Sequence, residues 1–212
     1  MAGNITQFVD EFERQMNGDP IYTHCWKELS AIEDLNSITV AQVTEIIEPY
    51  LYKWGRMSRV MGTRKYWNWR QDLTEAYHMC GNLLHTYRGL DLGSVDLAEY
   101  KEGTKVCYDS FTLSVGPVSA GKVLHLTCPS YFPMWDTDIS KTIRKEMFPG
   151  GGKGMGLFTF DAYYQFMHAN KYFLNAYREE LENLAQKHGK PKLKILDAWL
   201  WQLVHGELMP NV

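Results

Sequence analysis

Two residues near the middle of the chain, Lys122 and Asp136, stand a 14-residue step apart inside GPVSAGKVLHLTCPSYFPMWDTDIS, residues 116–140. The stretch predicts a tight hairpin over residues 115–121, a short apolar helix opening at Lys122, a Pro-rich return, and a second helix start at Asp136. A lysine amine held in apolar surroundings gives up its proton more easily and becomes a nucleophile. Asp136, followed by Thr137, Asp138 and Ile139, suits a helix N-cap. The backbone N–H groups of the hairpin, Val115 to Gly121, just ahead of a helix N-terminus, would suit an anion such as a phosphate. The same residues admit a plainer account, in which Lys122 is a surface amine, Asp136 is only a cap, or the two form a local salt bridge.

A second feature is a run of cations. Lys53, Arg56, Arg59, Arg64, Lys65 and Arg70 follow one another with no acidic residue between them, and Tyr66, Trp67 and Trp69 are interleaved. This is either a solvated helix face whose Trp54, Met57 and Met61 turn inward, or a phosphate-contacting surface whose aromatics stack on bases. A weaker basic run is Lys141, Arg144, Lys145 and Lys153. Residues 149–156, PGGGKGMG, lack the spacing of a phosphate loop and read as a surface loop. The seven histidines show no HExxH or HxH spacing, and Cys25, Cys80, Cys107 and Cys128 include no CxxC pair. No metal site is expected, no cofactor is expected, and the cysteines read as reduced, buried thiols.

The elements that would position these groups are helical throughout. Ile5, Phe8, Val9, Phe12 and Met16 share a face, closed by Asn17-Gly18-Asp19-Pro20. A second helix is expected over residues 22–35. Thr39 with Gln42 has the pattern of a capping box, and Pro49 should break or restart the helix that follows. Further helices are expected around residues 73–87, over 96–113 with a break near Gly103, over 160–188 as the longest, and around 195–203. Period-2 alternation, an Asn-Gly turn and a βαβ rhythm are all missing. The expectation is one all-α domain over residues 1–212, in two lobes, with a cleft around residues 113–140.

With 45% hydrophobic residues the chain can bury a large core, and a net charge of −3 does not by itself advertise a polyanionic partner, so local charge has to carry that argument. No apolar run approaches the ~20 residues of a membrane span. The acidic, amphipathic N-terminus has no signal-peptide pattern, so a cytoplasmic protein is expected, nucleoid-associated if prokaryotic.

The order of apolar helix, hairpin, helix-opening lysine and apolar return to Asp-Thr-x-Ile resembles the helix-hairpin-helix DNA glycosylase superfamily. Phe132-Pro133-Met134-Trp135-Asp136-Thr137-Asp138-Ile139 is similar to that family's Val-Asp-Thr-His-Val motif with a Phe-Pro lead-in. The resemblance covers residues 111–145. It implies a two-lobed helical fold that binds double-stranded DNA containing a damaged base or an abasic site. Lys122 would be the imine-forming nucleophile and Asp136 the essential carboxylate. The hairpin residues Val118, Ser119, Ala120 and Gly121, together with Arg56, Arg59, Arg64 and Lys65, would hold the DNA backbone. Trp135, His125, Trp67 and Trp69 would receive the extruded base. The alternative is a catalytically inactive helical module of the same fold that binds nucleic acid or protein.

Overall fold

The computed structural model describes residues 5–147 and 158–205, apart from the side chains of residues 144–147. The glycine stretch at 149–156 and Lys153 therefore lie outside the described residues, as do the side chains of Arg144 and Lys145. Eleven α-helices and no strand occur among the described residues: α1 (Ile5–Gln15), α2 (Pro20–Ser30), α3 (Val40–Gln42), α4 (Ser58–Met61), α5 (Trp69–Arg88), α6 (Leu97–Val115), α7 (Pro117–Thr127), α8 (Thr137–Met147), α9 (Phe160–Ala176), α10 (Arg178–His188) and α11 (Lys192–His205). None is long and apolar enough to cross a membrane.

The apolar spacing places the helices in two groups. In one, α5 packs on α6, α6 on α7, and α7 on α2; in the other, α11 packs on α1, α8, α9 and α10. Ile5, Val9 and Phe12 are buried on the predicted face of α1, whereas Met16 stays 37% exposed at its end. The Thr39/Gln42 capping box forms in both directions, with each side chain meeting the other residue's backbone N–H. Asp96 caps α6 by accepting from the Ala98 N–H at 3.0 Å.

Three expectations about helix breaks change. Pro49 does not stop its helix: it keeps helical angles between two π-type segments, Val43–Ile47 and Tyr50–Trp54. Widened turns absorb the missing Pro N–H, and Gly55 N–H reaches back five residues to Tyr50 O at 2.8 Å. Gly103 does not interrupt α6; a Cβ there would lie 2.2 Å from Tyr87 Oη, so the glycine permits close packing of α6 on α5. The stretch over residues 160–188 does break, at Tyr177 (φ −122°, ψ 34°), whose ring packs edge-on against Trp199 at 5.0 Å.

The hairpin over residues 115–121 is replaced by a one-residue junction. Gly116 alone separates α6 from α7, at φ +80° and ψ 160°, a conformation that favours glycine. Pro117 then opens α7, where its missing N–H costs nothing. Ser119, Ala120 and Gly121 are therefore helical and buried, and Ala120 N–H is already bonded to Gly116 O at 2.8 Å. Lys122 lies in the middle of α7 and does not open it.

Gly121 sets how closely the return to Asp136 approaches α7. A Cβ there would lie 2.5 Å from Trp135 Cβ and 3.2 Å from the Trp135 backbone nitrogen. Gly121→Ala is expected to cost about 1–3 kcal/mol by overpacking, lowering Tm by roughly 3–10 °C for a domain of this size. A thermal unfolding scan with an unchanged midpoint would contradict the close approach.

Candidate functional site

A cleft of about 720 Å³ opens between the two groups of helices. One wall is α1 and α11, with Phe12, Gln15, Asp197 and Trp201; the other carries Trp54, Gly55, Arg56, Lys122, Met134 and Asp136. The structure thus brings Lys122, Asp136 and Arg56 to one place, from α7, from the turn before α8, and from the end of the π-type segment.

Among the described residues no direct ion pair joins Lys122 to Asp136, so the local salt bridge does not form. The Lys122 amine donates to Gly55 O at 3.2 Å and lies 5.4 Å from the centre of the Trp54 ring. Burial lowers its pKa below the usual lysine value, against the pull of Asp136 and Asp197. Its receiving carbonyl sits in a strained turn, because Arg56 next to it adopts φ +53°, uncommon for a residue with a side chain. Asp136 is fixed by its own helix: Oδ1 accepts from the N–H groups of Asp138 at 2.9 Å and Ile139 at 3.1 Å. The N-terminal end of α8 favours its negative charge.

Two residues escape a reading of the sequence: Asp197, which lines the cleft, and its fully buried partner Lys194. Asp197 and Lys194 sit in α11, within the largely apolar KLKILDAWLWQLVH. Lys194 is fully buried, 3.3 Å from Asp19 and 3.4 Å from Asp197, with its amine over Phe12, Tyr22 and Trp54. Asp19 reaches it from a left-handed backbone (φ +54°), in a turn where Asn17 and Gly18 also have positive φ. A charged pair at i, i+3 inside an apolar helix is the signal that could have found them.

The four residues expected to receive a base do not line the cleft. Trp135 is buried against Tyr163 and Phe166, and Trp69 is buried beneath Arg70. Trp67 is 82% exposed on the surface. His125 is fully buried; its Nδ1 lies 2.8 Å from Phe132 O and its Nε2 lies 3.0 Å from Tyr22 Oη. The aromatic lining of the cleft is instead Phe12, Trp54 and Trp201. Of the expected hairpin contacts, Ser119, Ala120 and Gly121 have no surface to offer DNA, and only Val118 is partly exposed.

The basic run behaves differently. Lys53, Arg56, Arg59, Arg64 and Lys65 are exposed, and among the described residues none of the five forms an ion pair, whereas Arg70 is paired with Glu48 at 2.7 Å. Met61 and Tyr66 anchor the segment: Met61 Sδ accepts from Ser119 Oγ at 3.8 Å, and the Tyr66 hydroxyl packs against Gly116. Unpaired cations therefore run from the cleft, at Arg56, past the start of α7, with Trp67 beside them. All four cysteines are free and buried, and the described residues contain no cluster of potential metal ligands. No protein-family model matches the sequence, and neither a curated protein nor a solved structure matches it.

Because Phe132 O can only accept, His125 Nδ1 must carry a hydrogen, which leaves Nε2 to accept from Tyr22 Oη. Burial pushes its pKa down to about 3 from the ordinary 6.5. The folded state thus resists protonation, so this contribution to stability is full above pH 6.5 and is lost as pH falls toward 3, up to roughly 5 kcal/mol in all. At pH 5 the ¹⁵N spectrum should show the neutral Nδ1–H form of His125; an imidazolium signal there would refute the assignment.

Proposed function

We propose that the protein is a DNA glycosylase with abasic-site lyase activity, acting on duplex DNA that carries a damaged base. The observation that carries this is the cleft: a desolvated amine and a helix-capping carboxylate face one cavity, at the edge of a surface of cations, and among the described residues neither the amine nor those cations form an ion pair. The motif resemblance over residues 111–145 supports the same assignment and makes an oxidised purine the first base to test.

Cleaving an N-glycosidic bond develops positive charge at the sugar. Asp136 is suited to stabilise that charge, because the two N–H bonds at Oδ1 hold its carboxylate in a fixed orientation. Lys122, with its pKa lowered by burial, would attack the anomeric carbon and form an imine that permits strand cleavage. The base leaves the helical stack into a cavity with aromatic walls, where Phe12, Trp54 and Trp201 take the place expected of Trp135 and His125. Arg56, Arg59, Arg64 and Lys65 would contact phosphates, and Trp67 on the same surface would be free to stack on an exposed base. A DNA-binding module without chemistry is the second reading, favoured by the buried Ser119-Ala120-Gly121 segment.

Borohydride trapping on duplexes carrying 8-oxoguanine or an abasic site tests the proposal. A covalent adduct is expected with the wild type and none with Lys122→Ala, and adduct formation should rise with pH and level off below the usual lysine pKa of 10.5. An adduct that persists in Lys122→Ala would move the nucleophile elsewhere; no adduct from any duplex would leave the second reading. Replacing Arg59, Arg64 and Lys65 with Ala should flatten the log–log dependence of DNA affinity on salt, by roughly one for each phosphate no longer neutralised. An unchanged slope would remove these residues from the interface.

A further inference from the structure

Besides Asp136 the cleft is lined by two carboxylates, Glu11, which is paired with Arg14, and Asp197, which the two-residue chemistry above leaves without a task. Its side chain is 11% exposed and lines the same cavity as Lys122 and Asp136. Asp136 is occupied as a cap, but Asp197 lies in the interior of α11, where there are no unpaired helix N–H groups to accept from. Its polar partner is Lys194, one turn back, at 3.4 Å from Oδ2. The amines of Lys194 and Lys122 lie 5.1 and 5.4 Å from the centre of the same Trp54 ring, and Lys122 lines the same cavity as this carboxylate, with no direct ion pair between them among the described residues.

We propose that Asp197 carries the proton that Lys122 must shed, taking it from the attacking amine and handing it to the departing sugar oxygen. This rests on the lyase activity proposed above. The neutral amine forms an N–C bond at the anomeric carbon while the bond to the base breaks, its electron pair leaving with the base, which takes a proton from solvent. The nitrogen now carries two hydrogens and a positive charge, and one proton passes to the Asp197 carboxylate. The nitrogen lone pair then forms the C=N bond, the bond from the anomeric carbon to the ring oxygen breaks, and that oxygen takes the proton from Asp197. A protonated imine and a free hydroxyl result, with Asp197 a carboxylate again. The aldehyde of an abasic site needs the same transfer from amine to oxygen. Burial and the charge of Asp136 lift the pKa of Asp197, against the pull of Lys194, while burial lowers that of Lys122, which brings donor and acceptor closer in proton affinity.

The test is the rate of borohydride-trapped adduct formation on an abasic-site duplex, as a function of pH, for the wild type, Asp197→Asn and Asp197→Glu. The profile has to be read against the groups around Asp197: Lys194 on its own helix, Lys122 on α7, Asp136 before α8, Asp19 before α2, and the phenols of Tyr22 and Tyr50. Asp197→Asn should slow trapping by roughly 10²–10³-fold, in the range of general acid–base catalysis, with duplex affinity within about twofold of the wild type. The limb of the profile due to Asp197 should vanish, and Asp197→Glu should recover part of the rate. Trapping by Asp197→Asn at the wild-type rate, with an unchanged profile, would overturn the role. So would a loss that follows thermal stability or DNA affinity in both variants. If the wild type itself forms no adduct, it is the lyase activity that fails, and this role falls with it.

Discussion

The cleft depends on one buried cation. The Lys194 ammonium has no contact with solvent and is surrounded by Phe12 from α1, Tyr22 from α2 and Trp54 from the π-type segment. A charge in that position is tolerable only if it is matched, and Asp19 and Asp197 match it from two directions. The pairing explains a backbone that would otherwise be costly. The left-handed Asp19 forgoes capping α2 with its side chain and aims its carboxylate inward instead. This ion cluster and the rings around it thus tie four separated segments of the chain together, and three of them, α1, the π-type segment and α11, also wall the cavity.

Charge elsewhere is divided by purpose. The α10–α11 region is laced with pairs, such as Lys190 with Glu13 and Lys192 with Asp91 at 2.8 Å, while the cations from Lys53 to Lys65 are left unmatched. Isolated exposed pairs contribute little to stability, so leaving these five without partners costs the fold almost nothing and keeps their charge available to an anionic partner. The π-type segments feed both ends of this arrangement. By accommodating Pro49 and closing with Gly55, they hold the Trp54 ring inward and deliver Arg56 to the rim.

Much of the scaffold is legible in the sequence because local rules and burial agree: the apolar stripes of α1, α5 and α9, the Thr39/Gln42 box, and the Asp136 cap. The Gly116-Pro117 junction misleads because turn-forming residues also serve helix ends, glycine finishing one helix and proline starting the next. Seen that way, the pair marks a boundary with no loop at all. Lys122 and Asp136, a 14-residue step apart, do line one cavity. The aromatics of that cavity are not legible in the same way, since Trp135 and His125 are near Asp136 in sequence but turned into the core, while Phe12 and Trp201 come from helices at the two ends of the described chain. Nothing local distinguishes a tryptophan that faces a cavity from one that faces a core.

The packing of α1 against α11 bears on how the protein is made. Hydrogen bonds such as that of Gln15 with Gln202 join residues 187 positions apart, and long-range closures of this kind come late in folding. As the chain leaves the ribosome, Lys122 is complete well before α11, whose Lys194 and Asp197 finish the wall around it. Until that helix docks, Asp197 and Trp201 are missing from the wall of the cavity that Lys122 lines. A nascent or truncated chain would hold Lys122 and Asp136 in an unfinished cleft, and chemistry of the kind proposed above would begin only when that wall is in place.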